Sequence, residues 1–186
     1  MLVAFFCTLP TNTNHAYGQT SRQPFQVDLD FKEQTLYIGP NIFIHEKKGM
    51  NNTENKIIDS YNNGFRGERQ TQDIISLQKY NNPVWLIFSV TNNTREKNWV
   101  LQFGTALDGS YLIVDNLKVT NQTAKTEIIN TLSGDEIPES LESFLTHGAI
   151  PLAIEPGQTN TFSIYLEKNG KLYKSLSPQI ISQDTY

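Results

Sequence analysis

The chain has 186 residues, a formal net charge of -4, 38% hydrophobic residues and 18% charged residues. That length suits one domain with a real core, or one domain plus a short leader, and that balance favours a folded chain over a disordered one. No basic tract offers nucleic acid or an anionic membrane surface an electrostatic footprint, and a single cysteine, Cys7, excludes an internal disulfide framework.

The chain opens on MLVAFFCTL, apolar from Leu2 to Leu9. A secretory hydrophobic region runs to roughly 7–15 residues and a membrane-spanning helix needs about 20, so this run fits the first. Ala16 and Gly18 are small residues spaced as a cleavage site requires. Residues 1–18 therefore read as a signal peptide and Gln19 as the mature N-terminus. Two other readings stay open, because no Lys or Arg precedes the run. One is a buried N-terminal strand. The other is a lipoprotein acylated at Cys7, which the bulky Ala4-Phe5-Phe6 before it disfavours.

Residues 19–35 form an N-terminal segment and first strand, in which Val27, Leu29 and Phe31 alternate with Asp28 and Asp30. Leu36–Ile38 and Ile42–Ile44 flank Gly39-Pro40, a turn signal. Lys56–Tyr61 predicts one or two helical turns with Ile57, Ile58 and Tyr61 on one side, stopped by Asn62-Asn63-Gly64. Val84–Val90 is continuously apolar except for Ser89, the pattern of a strand covered on both faces. After the polar loop Thr91–Asn98, Trp99, Leu101 and Phe103 share one face, which predicts a hairpin with the preceding strand. Asp108-Gly109 marks a turn, and SYLIVDNLKV predicts one or two strands.

Thr123–Gly148 is poorly patterned, with a turn at Ser133-Gly134-Asp135 and a short helix after Pro138. Ile150, Leu152 and Ile154 then alternate, and Glu155-Pro156-Gly157-Gln158 predicts a type II turn. Phe162, Ile164 and Leu166 alternate again, Asn169-Gly170 predicts a hairpin, and a last strand spans Leu172–Ile181. About eight strands with turn signals between them argue for an all-β sandwich.

The inventory of reactive groups points away from catalysis. His15, His45 and His147 are scattered without ligand spacing, and no nucleophile elbow, phosphate loop or zinc pattern occurs. Asp135, Glu136, Glu139 and Glu142 cluster, yet charge runs of this kind are ordinarily solvated faces. No catalytic residue, metal site or cofactor is expected. Binding is the more natural chemistry. Tyr80, Tyr111 and Trp99 are candidate stacking platforms for the apolar faces of a sugar, each weighed against a place in the core. Trp85 lies inside the apolar run and reads as core. Arg66, between glycines in NGFRGERQ, is a candidate partner for an anionic ligand group, weighed against an ordinary surface arginine.

The run PVWLIFSVTNNTREKNWVLQFG, with Trp85, Asn92-Asn93 and Trp99-Val100-Leu101, resembles the type 2 extracellular domain of bacterial 7TMR-DISM receptors, the seven-transmembrane receptors with diverse intracellular signalling modules. So do LYIGPNIFIHEKKG upstream, and SGDEIPES and AIPLAIEPGQTNTFSIYLE downstream. The resemblance assigns residues 36–184 to such a domain. It departs at Leu86 and Ile87, where the family often carries Arg, and at Glu167, where it often carries a basic residue. The resemblance implies a jelly-roll-like β-sandwich related in shape to carbohydrate-binding modules. It also implies a sensor outside the inner membrane, periplasmic or extracellular, for a small-molecule or carbohydrate ligand. The membrane is then a partner only through downstream transmembrane segments. A stand-alone exported carbohydrate-binding or adhesion module is the alternative.

Overall fold

A computed structural model of the chain describes residues 26–29, 35–49, 53–64, 68–69, 72–104, 116–131, 149–167 and 175–185. Among the described residues, twelve strands form two sheets facing each other across one apolar core. The larger sheet contains β1 (Gln26–Leu29), β3 (Phe43–Glu46), β4 (Glu68–Arg69), β6 (Val84–Asn92), β8 (Asn116–Asn121), β9 (Thr126–Asn130) and β11 (Thr159–Glu167). Its order is β4-β3-β6-β11-β8-β9, with β1 added parallel to the far end of β6. The smaller sheet contains β2 (Thr35–Tyr37), β5 (Ile75–Ser76), β7 (Asn98–Gly104), β10 (Ala149–Ala153) and β12 (Ser175–Ser182), in the order β10-β7-β12-β2 with β5 also on β12.

The sandwich follows from side-chain alternation. In β6, Val84, Leu86, Phe88 and Val90 enter the core between the sheets, and in β11 Phe162, Ile164 and Leu166 do the same. Phe88 and Phe162, register partners, stack with ring centroids 5.5 Å apart. From the smaller sheet come Trp99, Leu101 and Phe103 of β7, Ile150 and Leu152 of β10, and Leu176 and Ile180 of β12.

The apolar continuity of β6 has the cause its sequence suggests. Its other side, Trp85 and Ile87, is covered by the one α-helix among the described residues, α1 (Glu54–Asn62). Ile57, Ile58 and Tyr61 of α1 pack there with Phe43 and Tyr165. Gly64 follows with φ +83°, the left-handed conformation that ends helices.

Two predicted hairpins are corrected. β6 and β7 do not pair; they lie in opposite sheets, and the segment between them arches over the end of the core. Asn92, fully buried, holds this arch. Its Nδ2 donates to the carbonyls of Glu96 and Ile154, and its Oδ1 accepts from the N–H and hydroxyl of Thr94. β11 and β12 likewise lie in opposite sheets and do not pair; the Asn169-Gly170 turn itself lies outside the described residues. The predicted turn after β10 is present: Gly157 has φ +76° and Gln158 N–H donates to Glu155 O at 3.0 Å. A real hairpin occurs where the pattern is faint, between β8 and β9, through Lys125 at φ 56°. The leader, Phe31, the Asp108-Gly109 turn and the helix predicted after Pro138 lie outside the described residues.

Candidate functional site

The two sheets each end in an edge strand on the same flank, β9 for the larger and β10 for the smaller. Pro151 sits inside β10, and proline is tolerated in a strand only where a ladder hydrogen bond is not required, as at an edge. Between these edges lies a cleft of about 370 Å³. Ile128, Pro151 and Leu152 give it an apolar floor, widened by the small side chains of Ala124 and Ala153. Around that floor stand the carboxamides of Asn98, Asn121 and Gln183, the hydroxyl of Thr126 and the carboxylate of Glu127.

The fold places each of these groups. Asn121 closes β8, and its Oδ1 accepts the backbone N–H groups of Thr123 at 3.1 Å and Ala124 at 3.0 Å. This carbonyl is committed to the turn, so the amide's donor end is what Asn121 can offer a ligand. Gln183 follows β12, and its backbone N–H donates to Asn98 O at 3.2 Å, which fixes two amide-bearing residues side by side. Glu127 is held by Lys118 Nζ at 2.7 Å and by Asn130 Nδ2 at 2.9 Å. Hydrogen bonds from Lys118 and then Asn130 hold its carboxyl below the ordinary range, so it is ionised at neutral pH.

The lining is polar, with one carboxylate, Glu127, whose charge is already paired with Lys118. Amides and a hydroxyl exchange hydrogen bonds with hydroxyl or amide groups, while the aliphatic floor meets C–H surface. Among the described residues no Lys, Arg or His lines the cleft, and its one charged group is a carboxylate, which disfavours an anionic ligand. Among the described residues no group of His, Cys, Asp and Glu is arranged to hold a metal ion.

A second polar arrangement lies on the outer face of the larger sheet. His45, Trp85, Tyr165 and Lys118 stand in one row across β3, β6, β11 and β8. The Trp85 and Tyr165 rings lie 4.7 Å apart, and Lys47 Nζ is 5.3 Å from the Tyr165 centroid. Burial, and then the Glu167 carboxylate, push the Tyr165 hydroxyl up to about 12. Burial, and then Lys48, push the His45 imidazole down. Trp85 Nε1 is buried without a hydrogen-bond partner. These aromatic residues are closed in by α1 and make a small second core.

Of the predicted binding residues, Trp99 and Tyr80 are described, and neither lines the cleft. Trp99 is 4% exposed and Tyr80 6%, so both rings are packed and neither presents a face for stacking. The core placement weighed for each in the sequence is the one observed, because both belong to the cluster between the sheets. Tyr111, Arg66 and the carboxylates Asp135, Glu136, Glu139 and Glu142 lie outside the described residues. The cleft residues were missed because Asn, Gln, Thr and Ala carry no motif. The usable signal was Pro151 within the alternation of Ile150, Leu152 and Ile154, which marks an edge and hence an open flank.

The model of the 7TMR-DISM extracellular 2 family matches residues 41–177, from just before β3 into the last strand, β12. The chain belongs to this family. The 7TMR-DISM extracellular 2 family comprises sensor domains of receptors, which gives the chain an exported setting. No curated protein matches the chain. The family match includes every cleft residue except Gln183. Leu86 is fully buried between the sheets, and Ile87 lies under α1. Both positions are apolar contacts in this domain. No helix among the described residues is long and apolar enough to cross a membrane.

Proposed function

We propose that this 7TMR-DISM extracellular 2 domain senses, in the periplasm, a small uncharged polar molecule of the carbohydrate class, and that the molecule binds in the cleft between β9 and β10. The observation that supports this reading is the lining: three carboxamides, a hydroxyl and the Glu127 carboxylate around an aliphatic floor, with no cationic group among the described residues. A polyol presents alternating hydroxyls and C–H surface and matches both features. The volume of about 370 Å³ suits a compact ligand, near the lower end of about 300–1,000 Å³ for small-molecule sites. The domain acts by binding, with no reaction and no cofactor. Its signal is a shift between conformations that bind the ligand unequally.

The test is a thermal-shift and calorimetric screen of the intact chain against neutral mono- and disaccharides, with dicarboxylates and amino acids alongside. A saccharide that binds the native state raises stability by about 2.7 kcal/mol at about a hundredfold excess over Kd. Ala153→Trp fills the cleft from an exposed position and is expected to abolish that gain while leaving the unliganded protein folded. Binding confined to dicarboxylates, or binding undiminished in Ala153→Trp, would overturn the reading.

A further inference from the structure

Glu127 belongs to the cleft and to a charged network that leads away from it. Lys118 Nζ lies 2.7 Å from Glu127 Oε1 and 3.0 Å from Glu54 Oε2. Glu54 is the first residue of α1. Its other oxygen, Oε1, accepts from Gln122 Nε2 at 2.6 Å and from Ser163 Oγ at 2.9 Å. Burial pulls the Lys118 ammonium down, but hydrogen bonds to Glu127 and Glu54 outweigh it and hold its pKa above the ordinary 10.5. One ammonium is therefore divided between a residue of the cleft and the residue that starts the helix. The Glu127 side chain is 50% exposed and that of Glu54 only 19%, so a ligand reaches the first and not the second.

The helix is suited to respond. Nine residues are too few to hold a helix in water, so α1 persists through its contacts with the sheet. Among the described residues those contacts include the Glu54 network at one end, Ile57 and Ile58 on Trp85, Ile87 and their neighbours, and Tyr61, whose ring packs edge-on against Phe43 and whose hydroxyl meets Ser89 Oγ at 3.1 Å.

We propose that Lys118 is the positioning residue through which occupancy of the cleft reaches α1; the inference rests on the reading of the cleft as the ligand site. A ligand hydroxyl that donates to Glu127 takes up acceptor capacity that Lys118 otherwise uses. Lys118 then gives more of its charge and protons to Glu54, and α1 closes more firmly on the outer face of the larger sheet. The flank of the sandwich and its outer face, two surfaces with no shared lining, are joined by one side chain. The bistable element is the docking of a short helix, which belongs to the low-stability end of local opening.

The experiment is amide hydrogen exchange across Ile57–Asn63 in the intact, unliganded chain, arranged as a double-mutant cycle. Glu127→Gln removes the competing charge and is expected to slow exchange in α1 roughly threefold, the size of a partly exposed ion-pair effect. In a Lys118→Met background the same substitution is expected to leave α1 exchange unchanged. Lys118→Gln serves the same cycle if Lys118→Met does not fold. Unchanged or faster exchange in Glu127→Gln, or equal slowing with and without Lys118, would sink the proposal. Because the cycle uses no ligand, a failed saccharide screen would overturn the binding reading without deciding this one, and the reverse also holds.

Discussion

Asn92 shows how much one buried amide can hold. Its side chain serves the carbonyls of Glu96 and Ile154 and the two donors of Thr94, while its backbone N–H donates to Gln158 O and its carbonyl accepts from Gly157 N–H. It thus ties the arch between β6 and β7 to the turn between β10 and β11. Asn92→Ala leaves several buried polar groups without partners, so we expect a loss of about 3 kcal/mol, read as a lower urea midpoint with unchanged slope. A loss below about 1 kcal/mol would mean that water replaces the amide. The sequence displays Asn92 only as one of two asparagines in a polar stretch, with nothing to separate it from the exposed Asn93. Tyr80 and Trp99 show the converse. Their residue type suits a platform, but type alone does not say which side of a sheet is wet.

At the level of elements, legibility depended on whether the pattern was local. The alternation of Phe162, Ile164 and Leu166 and the grouping of Ile57, Ile58 and Tyr61 are properties of single segments, and both were read correctly. Strand partners are not local. β6 and β7 each turn apolar residues to the same core, and a short connection serves an arch between sheets as well as a hairpin within one. β9 was missed because an edge strand buries little; in TEIIN only Ile129 is fully inside. The crossings carry their own constraints. Gly39, between β2 and β3, passes so close to the backbone that an added Cβ would lie 2.6 Å from Gln72 O and closer still to Asp73 O. Gly39→Ala must displace main chain, so we expect about 3 kcal/mol of destabilisation, measured by chemical denaturation. A neutral result would show that the 72–74 segment yields freely.

Across the whole molecule, alkaline stability should be governed partly by the closed outer face. Tyr165 ionises near its ordinary 10.0 in the unfolded chain but keeps its proton to about 12 when folded. The folded state then binds more protons between those values, so the stabilisation is complete below pH 10 and is lost as pH rises towards 12. At about 1.36 kcal/mol per pH unit, the loss amounts to at most about 2.7 kcal/mol. Unfolding midpoints of the wild type should fall over this window more steeply than those of Tyr165→Phe; parallel curves would refute the assignment. The cleft has a mechanical side as well. Gln183, one of its walls, directly follows β12, which is laddered to β7 on one side and to β2 and β5 on the other. A pull along β12 applied beyond Gln183 loads those ladders together in shear, not one rung at a time. The cleft thus borders a stiff point of the sandwich, where a small displacement is carried along a whole strand and little is lost to bending.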